Sequence, residues 1–147
     1  MINFTRLSKR IKTNEGYSNI IYKDQLGYPT IGYGHLIKTN DFFYPQKKYS
    51  KKLLLQIFNF DLNKAIIDFK KNYPNKKQPP NIQEVIIEMI FQLGIRGVLK
   101  FNKFNLNIKK KQYYLAALEM IKSKWYLQAP KRVDKLIYIL LNFNDKK

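Results

Sequence analysis

Within the stretch NEGYSNIIYKDQLGYPTIGYGH, residues 14–35, lie four residues able to do chemistry: Glu15, Asp24, Thr30 and the chain's single histidine, His35. Asp24 follows Glu15 by nine positions, and Thr30 follows Asp24 by six. A helix ending at Glu15, followed by a hairpin that brings Asp24 and Thr30 together, would set two carboxyl groups across a shallow cleft. Glycoside hydrolysis needs that equipment: one protonated carboxyl to donate to the leaving oxygen, one ionised carboxylate to activate water or stabilise positive charge. The partial negative charge at a helix C-terminus disfavours ionisation nearby, so Glu15 is the better candidate acid. Spacing alone does not establish this, because carboxylates in turns are commonly ordinary solvated residues.

The elements that must position these residues are legible in the pattern. Phe4, Leu7 and Ile11 fall at helical spacing, and Asn14-Glu15-Gly16 supplies a C-terminal stop, since glycine tolerates the left-handed conformation. From Ile20 to Leu36 β-branched and aromatic residues alternate with polar ones around the turn KDQLG, which predicts two strands. Ser50 can cap a long helix carrying Leu54, Ile57, Phe58, Leu62, Ala65, Ile66 and Phe69, which should end by Tyr73 because Pro74 follows. After the break PNKKQPPN, Asn81 is the expected cap of a strongly apolar helix with Glu84 three residues on. Beyond QLGIRG, Tyr113 to Ile121 and Val133 to Leu141 read as further amphipathic helices, with Pro130 at a helix start. The expected fold class is α+β and mainly α, a small N-terminal sheet with a larger helical lobe.

Composition narrows the function. The 147 residues are 45% hydrophobic and 15% aromatic, the signature of one ordered domain rather than of disorder. Without cysteine there are no disulfides, thiol nucleophiles or Cys-based zinc sites, and a single histidine argues against a metal centre, so no cofactor is expected. The N-terminal segment is patterned as a helix rather than a signal peptide, and no apolar run approaches a membrane span, so synthesis in the cytoplasm is expected. A net charge of +18 favours polyanionic surfaces. The 24 lysines against 4 arginines, with abundant Ile, Asn, Phe and Tyr, are also what an AT-rich gene encodes, and no basic arm or recognition motif points to nucleic acid.

The segment EGYSNIIYKDQLGYPTIGYGH resembles the catalytic segment of the T-even phage lysozymes, the endolysins of glycoside hydrolase family 24. EMIFQLGIRGVLKF (Glu88 to Phe101) resembles the family's central helix and the loop after it. KSKWYLQAPKR (Lys122 to Arg132) resembles its Trp-Tyr-Gln-Pro-Arg segment. The resemblance implies a lysozyme-like fold with an active-site cleft between two lobes: residues 16–50 as the small lobe, 51–73 as a connecting helix, and 1–15 with 74–147 as the helical lobe. It implies Glu15 as general acid, with Asp24 and Thr30 holding the attacking water, and Phe91 and Gln92 as substrate-binding residues. His35 paired with Asp61 would support the site, as would Arg132, a cation whose place in the first turn of a helix works against the dipole. The sequence departs from the family in a shorter segment between His35 and Ser50, in Glu88 where Asn is usual, and in Lys103 and Phe104 where small polar residues are common near the cleft.

The implied activity is an inverting muramidase, a monomer without cofactor that acts on peptidoglycan glycan strands of the bacterial cell wall in lysis, with a holin as the expected release partner. The alternative is a cationic cell-wall-binding or membrane-disrupting protein that keeps the fold and has little catalysis.

Overall fold

A computed structural model describes residues 2–74 and 78–142. Its elements are α1 (Phe4–Glu15), β1 (Ser18–Lys23), β2 (Pro29–Gly32), β3 (His35–Leu36), α2 (Lys51–Asn72), α3 (Pro80–Leu99), α4 (Asn102–Lys109), α5 (Tyr113–Ile121), α6 (Lys124–Gln128) and α7 (Pro130–Leu141). The architecture is α+β and mainly α, with one three-stranded antiparallel sheet in the order β1-β2-β3. No helix among the described residues is long and apolar enough to cross a membrane.

The chain divides into two compact units, one running Thr5–Lys64 and the other holding the remaining described residues. The first unit holds α1 from Thr5 onward, the sheet, and α2 as far as Lys64. The Lys12 ammonium lies 5.7 Å from the Tyr33 ring centre and 5.2 Å from that of Phe58, and the Glu15 carboxyl lies against Gly34.

In this unit α1 stops where its sequence says it should. Gly16 takes φ +73°, and its amide returns to the Lys12 carbonyl at 3.0 Å. β1 and β2 pair Tyr22 with Thr30 and Lys23 with Pro29, and β2 turns at Tyr33-Gly34 into the two-residue β3, too short for its period to be read in advance. Thr30 and Ile31 of β2 are buried with Leu54 and Phe58 of α2 and Leu7 and Ile11 of α1. Ser50 caps α2, its Oγ accepting from the Leu53 amide at 3.1 Å. Ser50→Ala is expected to cost about 1 kcal/mol of unfolding free energy, read by denaturant titration.

The second unit is centred on α3, whose residues Ile82 to Ile90 are almost all buried, as in a core helix, with two carboxylates, Glu84 and Glu88, buried among the apolar side chains. Its start corrects the expected Asn81 cap. Pro79 precedes the helix, Pro80 occupies the first position, where a missing N–H costs nothing, and no side chain caps the end. Glu84 closes no capping box; it is fully buried and accepts from the Asn3 amide at 3.3 Å. Gly94, at φ +76°, breaks the α3 geometry within QLGIRG.

The break between α2 and α3 is stitched from Gln78, while residues 75–77 lie outside the described residues. The Gln78 side chain donates to the Ile108 carbonyl at 2.7 Å and accepts from the Tyr113 hydroxyl at 2.6 Å. Tyr73 stacks on Phe69 and donates to Asn105 at 2.6 Å, and burial pushes its hydroxyl up to about 12. Two short helices, α4 and α6, were not legible from periodicity. α4 buries only Phe104 and Ile108, and α6 has five residues. Phe104, expected near the cleft, is fully buried in the core of this unit, while Lys103 beside it is exposed.

Candidate active site

Glu15 is the last residue of α1, and its side chain ends over the turn between β2 and β3. The contact with Gly34 is so close that a β-carbon built there would overlap the carboxylate, lying 2.6 Å from Glu15 Cδ. Only glycine leaves that space, and only glycine holds φ +77° without strain. Gly34 is therefore part of the seat of Glu15. Its signal is present in sequence as the second glycine of TIGYGH, but nothing local names the side chain it has to admit.

Asp24 sits in the β1–β2 turn. Its backbone pairs with Tyr28 (Asp24 N to Tyr28 O, 2.9 Å), and its Oδ1 accepts from the amides of both Leu26 and Tyr28 at 2.9 Å. These bonds lock the carboxylate in place and leave Oδ2 without a protein partner among the described residues. Because Asp24 opposes Tyr28 and Tyr22 opposes Thr30, the alternation of side chains puts Asp24 and Thr30 on one sheet face, diagonal to each other. Thr30 is 3% exposed, and its hydroxyl donates to the Tyr28 carbonyl at 3.0 Å, so its oxygen keeps lone pairs that can only accept. Burial first, and the Asp24 charge second, raise the Tyr22 hydroxyl.

His35, on β3, is held from both ring nitrogens. Nδ1 lies 2.7 Å from Asp61 Oδ2 on α2, and Nε2 lies 3.0 Å from Asp41 Oδ2 in the segment that follows β3. Asp41 was not anticipated, because its position six residues after the histidine has no periodic or motif meaning. Its Oδ2 also accepts from the Lys38 amide at 2.9 Å. The hydrogen bond to Asp61 raises the His35 ring, outweighing burial, and Asp41 adds to the effect. For Asp41 burial works upward, but the Lys38 amide and the His35 cation together hold the carboxyl below its ordinary value.

The signs give a stability window. The raised His35 contributes stability in full below pH 6.5, and this is lost as pH rises through its folded value. The lowered Asp41 contributes above pH 3.8, and this is lost as pH falls through its folded value. Unfolding free energy should therefore peak between these limits. Asp61→Asn should remove about 2 kcal/mol at the peak and flatten the alkaline limb, as measured by denaturant titration across pH.

Phe91, Gln92 and Arg132 belong to the second unit. Phe91 and Gln92 are half-buried just before the Gly94 kink, and Gln92 Oε1 is buried with no hydrogen-bond partner among the described residues. Arg132 stands in the first turn of α7, where the dipole opposes a cation, and a carboxylate compensates: its Nε lies 3.8 Å from Oε2 of the fully buried Glu88 on α3. Burial lowers the Arg132 guanidinium to about 10, which keeps it charged at neutral pH. The glutamate that departs from the family pattern at position 88 thus supplies an anion facing Arg132. Trp125, of the KWY segment, is buried in the core of this unit.

A family model described as phage lysozyme matches residues 12–138. Two proteins of Dictyostelium discoideum, probable T4-type lysozyme 1 and probable T4-type lysozyme 2, are each 30% identical to this chain; the alignments cover 88% and 90% of it and 90% and 92% of their own lengths. The pre-baseplate central spike protein Gp5 of Enterobacteria phage T4 is 26% identical over 94% of this chain, though only 28% of that protein is covered. The family match runs from the last turn of α1 to the body of α7 and so takes in every residue described above from Glu15 to Arg132, which makes this chain a member of the phage lysozyme family.

Proposed function

We propose that the protein is a muramidase, hydrolysing the β-1,4 bond between N-acetylmuramic acid and N-acetylglucosamine in peptidoglycan with inversion at the anomeric carbon. The observation that carries this reading is the pair of differently held carboxyl groups in a chain of the phage lysozyme family: Glu15 seated over Gly34, Asp24 locked in its turn with one oxygen open.

The donor and acceptor roles fit a single water. With the Thr30 hydrogen committed to Tyr28, both Thr30 Oγ1 and Asp24 Oδ2 can accept from it, and its lone pair remains free to attack. As the new bond from water oxygen to the anomeric carbon forms, the glycosidic bond breaks and the leaving oxygen takes the Glu15 proton. Asp24 takes the proton lost by the water, and both carboxyl groups then exchange protons with solvent. Gln92 and Phe91 serve the glycan, while His35, Asp61 and Arg132 hold the parts in place. No cofactor enters the reaction. In this reading the protein works as a monomer, is synthesised in the cytoplasm, reaches the wall by a holin-type release, and lyses bacteria.

Two measurements on purified sacculi test the proposal. Borohydride reduction of the digest should yield reduced muramic acid ends, and reduced glucosamine ends would refute the bond assignment. Proton NMR of the first-formed reducing end should show the α anomer, and a β product would refute inversion.

The net charge of +18 favours a second reading, a cationic wall-binding or membrane-disrupting protein with weak catalysis. It requires killing that persists when Glu15 can no longer donate a proton.

A further inference from the structure

Between β3 and α2 the chain runs Phe42-Phe43-Tyr44, and its three rings part company. Phe43 turns inward, its ring 6.2 Å from that of His35 and 5.0 Å, edge-on, from that of Tyr49. Phe42 is 87% exposed and Tyr44 63%. Phe42 therefore contributes little to the fold, yet the segment that presents it is firmly built. Asp41 is held by His35 and by the Lys38 amide, the Tyr44 amide donates to the Tyr49 hydroxyl at 2.8 Å, and the Tyr49 amide donates to the Asn19 carbonyl of β1 at 3.0 Å. Gln46 holds φ +63° in the turn after Tyr44, a conformation that a residue with a side chain keeps only where its surroundings impose it.

The charges around these rings have one sign. Residues 38–52 contain Lys38, Lys47, Lys48, Lys51 and Lys52, and their single carboxylate, Asp41, is already engaged by His35. The Lys47 ammonium lies 5.9 Å from the Tyr44 ring centre and 5.2 Å from that of Tyr49, so cation and aromatic surface are presented together. We propose that residues 38–52 are a docking surface for an anionic phospholipid bilayer, with Phe42 and Tyr44 at the headgroup level and Lys47 and Lys48 against lipid phosphates. The interface of such a bilayer accepts an apolar ring and an ammonium side by side. A second copy of this chain would bring a like charge of +18, whereas an anionic bilayer offers phosphates to the lysines and an apolar layer to Phe42 at once. Docking would concentrate the protein at the cell envelope independently of its catalytic groups.

Sedimentation with vesicles of mixed phosphatidylglycerol and phosphatidylcholine at physiological salt tests this, since vesicles contain no peptidoglycan and the result does not depend on the muramidase reading. The double variant Phe42→Ser/Tyr44→Ser should bind about ten-fold more weakly than the wild type, Phe42→Leu should bind as the wild type does, and pure phosphatidylcholine should retain none of them. An unchanged thermal midpoint in the double variant is expected from the exposure of both rings. Equal binding by wild type and double variant would overturn the proposal, leaving only diffuse charge. So would weaker adsorption of the double variant to sacculi, measured in a Glu15→Gln background, with vesicle binding intact, because the surface would then belong to the glycan.

Discussion

Glu15→Gln should lower the rate of peptidoglycan clearing by about 10²–10⁴-fold while leaving the unfolding midpoint essentially where it is. The substitution keeps the side chain's size over Gly34 but removes the proton that the leaving oxygen needs, so the loss falls on catalysis rather than on folding. Wild type and variant have to be compared at one salt concentration, because a chain of charge +18 adsorbs to anionic envelope polymers with a strong ionic-strength dependence. Equal clearing and killing by the two proteins would sink the muramidase reading and favour the cationic one.

Gly34→Ala should be nearly as damaging, by a different route. The added methyl overlaps the Glu15 carboxylate, so the acid must move, and a displacement of about 1 Å can cost about 10²-fold in rate. Backbone strain adds to this, since an alanine at φ +77° costs about 1–2 kcal/mol of stability. Gly94→Ala separates the two effects: its φ is +76°, but nothing lies within 4 Å of a β-carbon there. Gly94→Ala should lose at least as much stability, read by denaturant titration, because φ +76° with ψ 158° is a conformation essentially reserved for glycine, yet it should keep far more activity than Gly34→Ala. Full activity in Gly34→Ala would mean that the position of Glu15 over the turn is not the one from which it acts.

Local signals were legible where one residue's own chemistry decides the outcome. Gly16 ends α1, Ser50 begins α2, Pro130 begins α7, and the apolar repeat marks α3 as the central helix of its unit. The misplaced cap shows the limit. Asn81 and Glu84 have the spacing of a capping box, but Pro80 fits the first helical position at less cost, and burial of Glu84 removed it from the helix end. Strand β3 and helices α4 and α6 are too short to show a period, and they form because longer neighbours give them a surface to cover.

The candidate site divides along the same line. Sequence by itself determined the types and order of Glu15, Asp24, Thr30 and His35, the family to which they point, and a hairpin around the turn KDQLG, because side-chain alternation and turn chemistry are properties of neighbouring residues, while its register, Tyr22 opposite Thr30, came with the structure. Only the tertiary structure decided that Gly34 admits the Glu15 carboxylate, that Asp41 joins Asp61 on His35, and that Glu88 faces Arg132. Each of those depends on residues distant in sequence arriving within a few ångströms, and a carboxylate or a missing β-carbon carries no local sign of the partner that folding will bring to it.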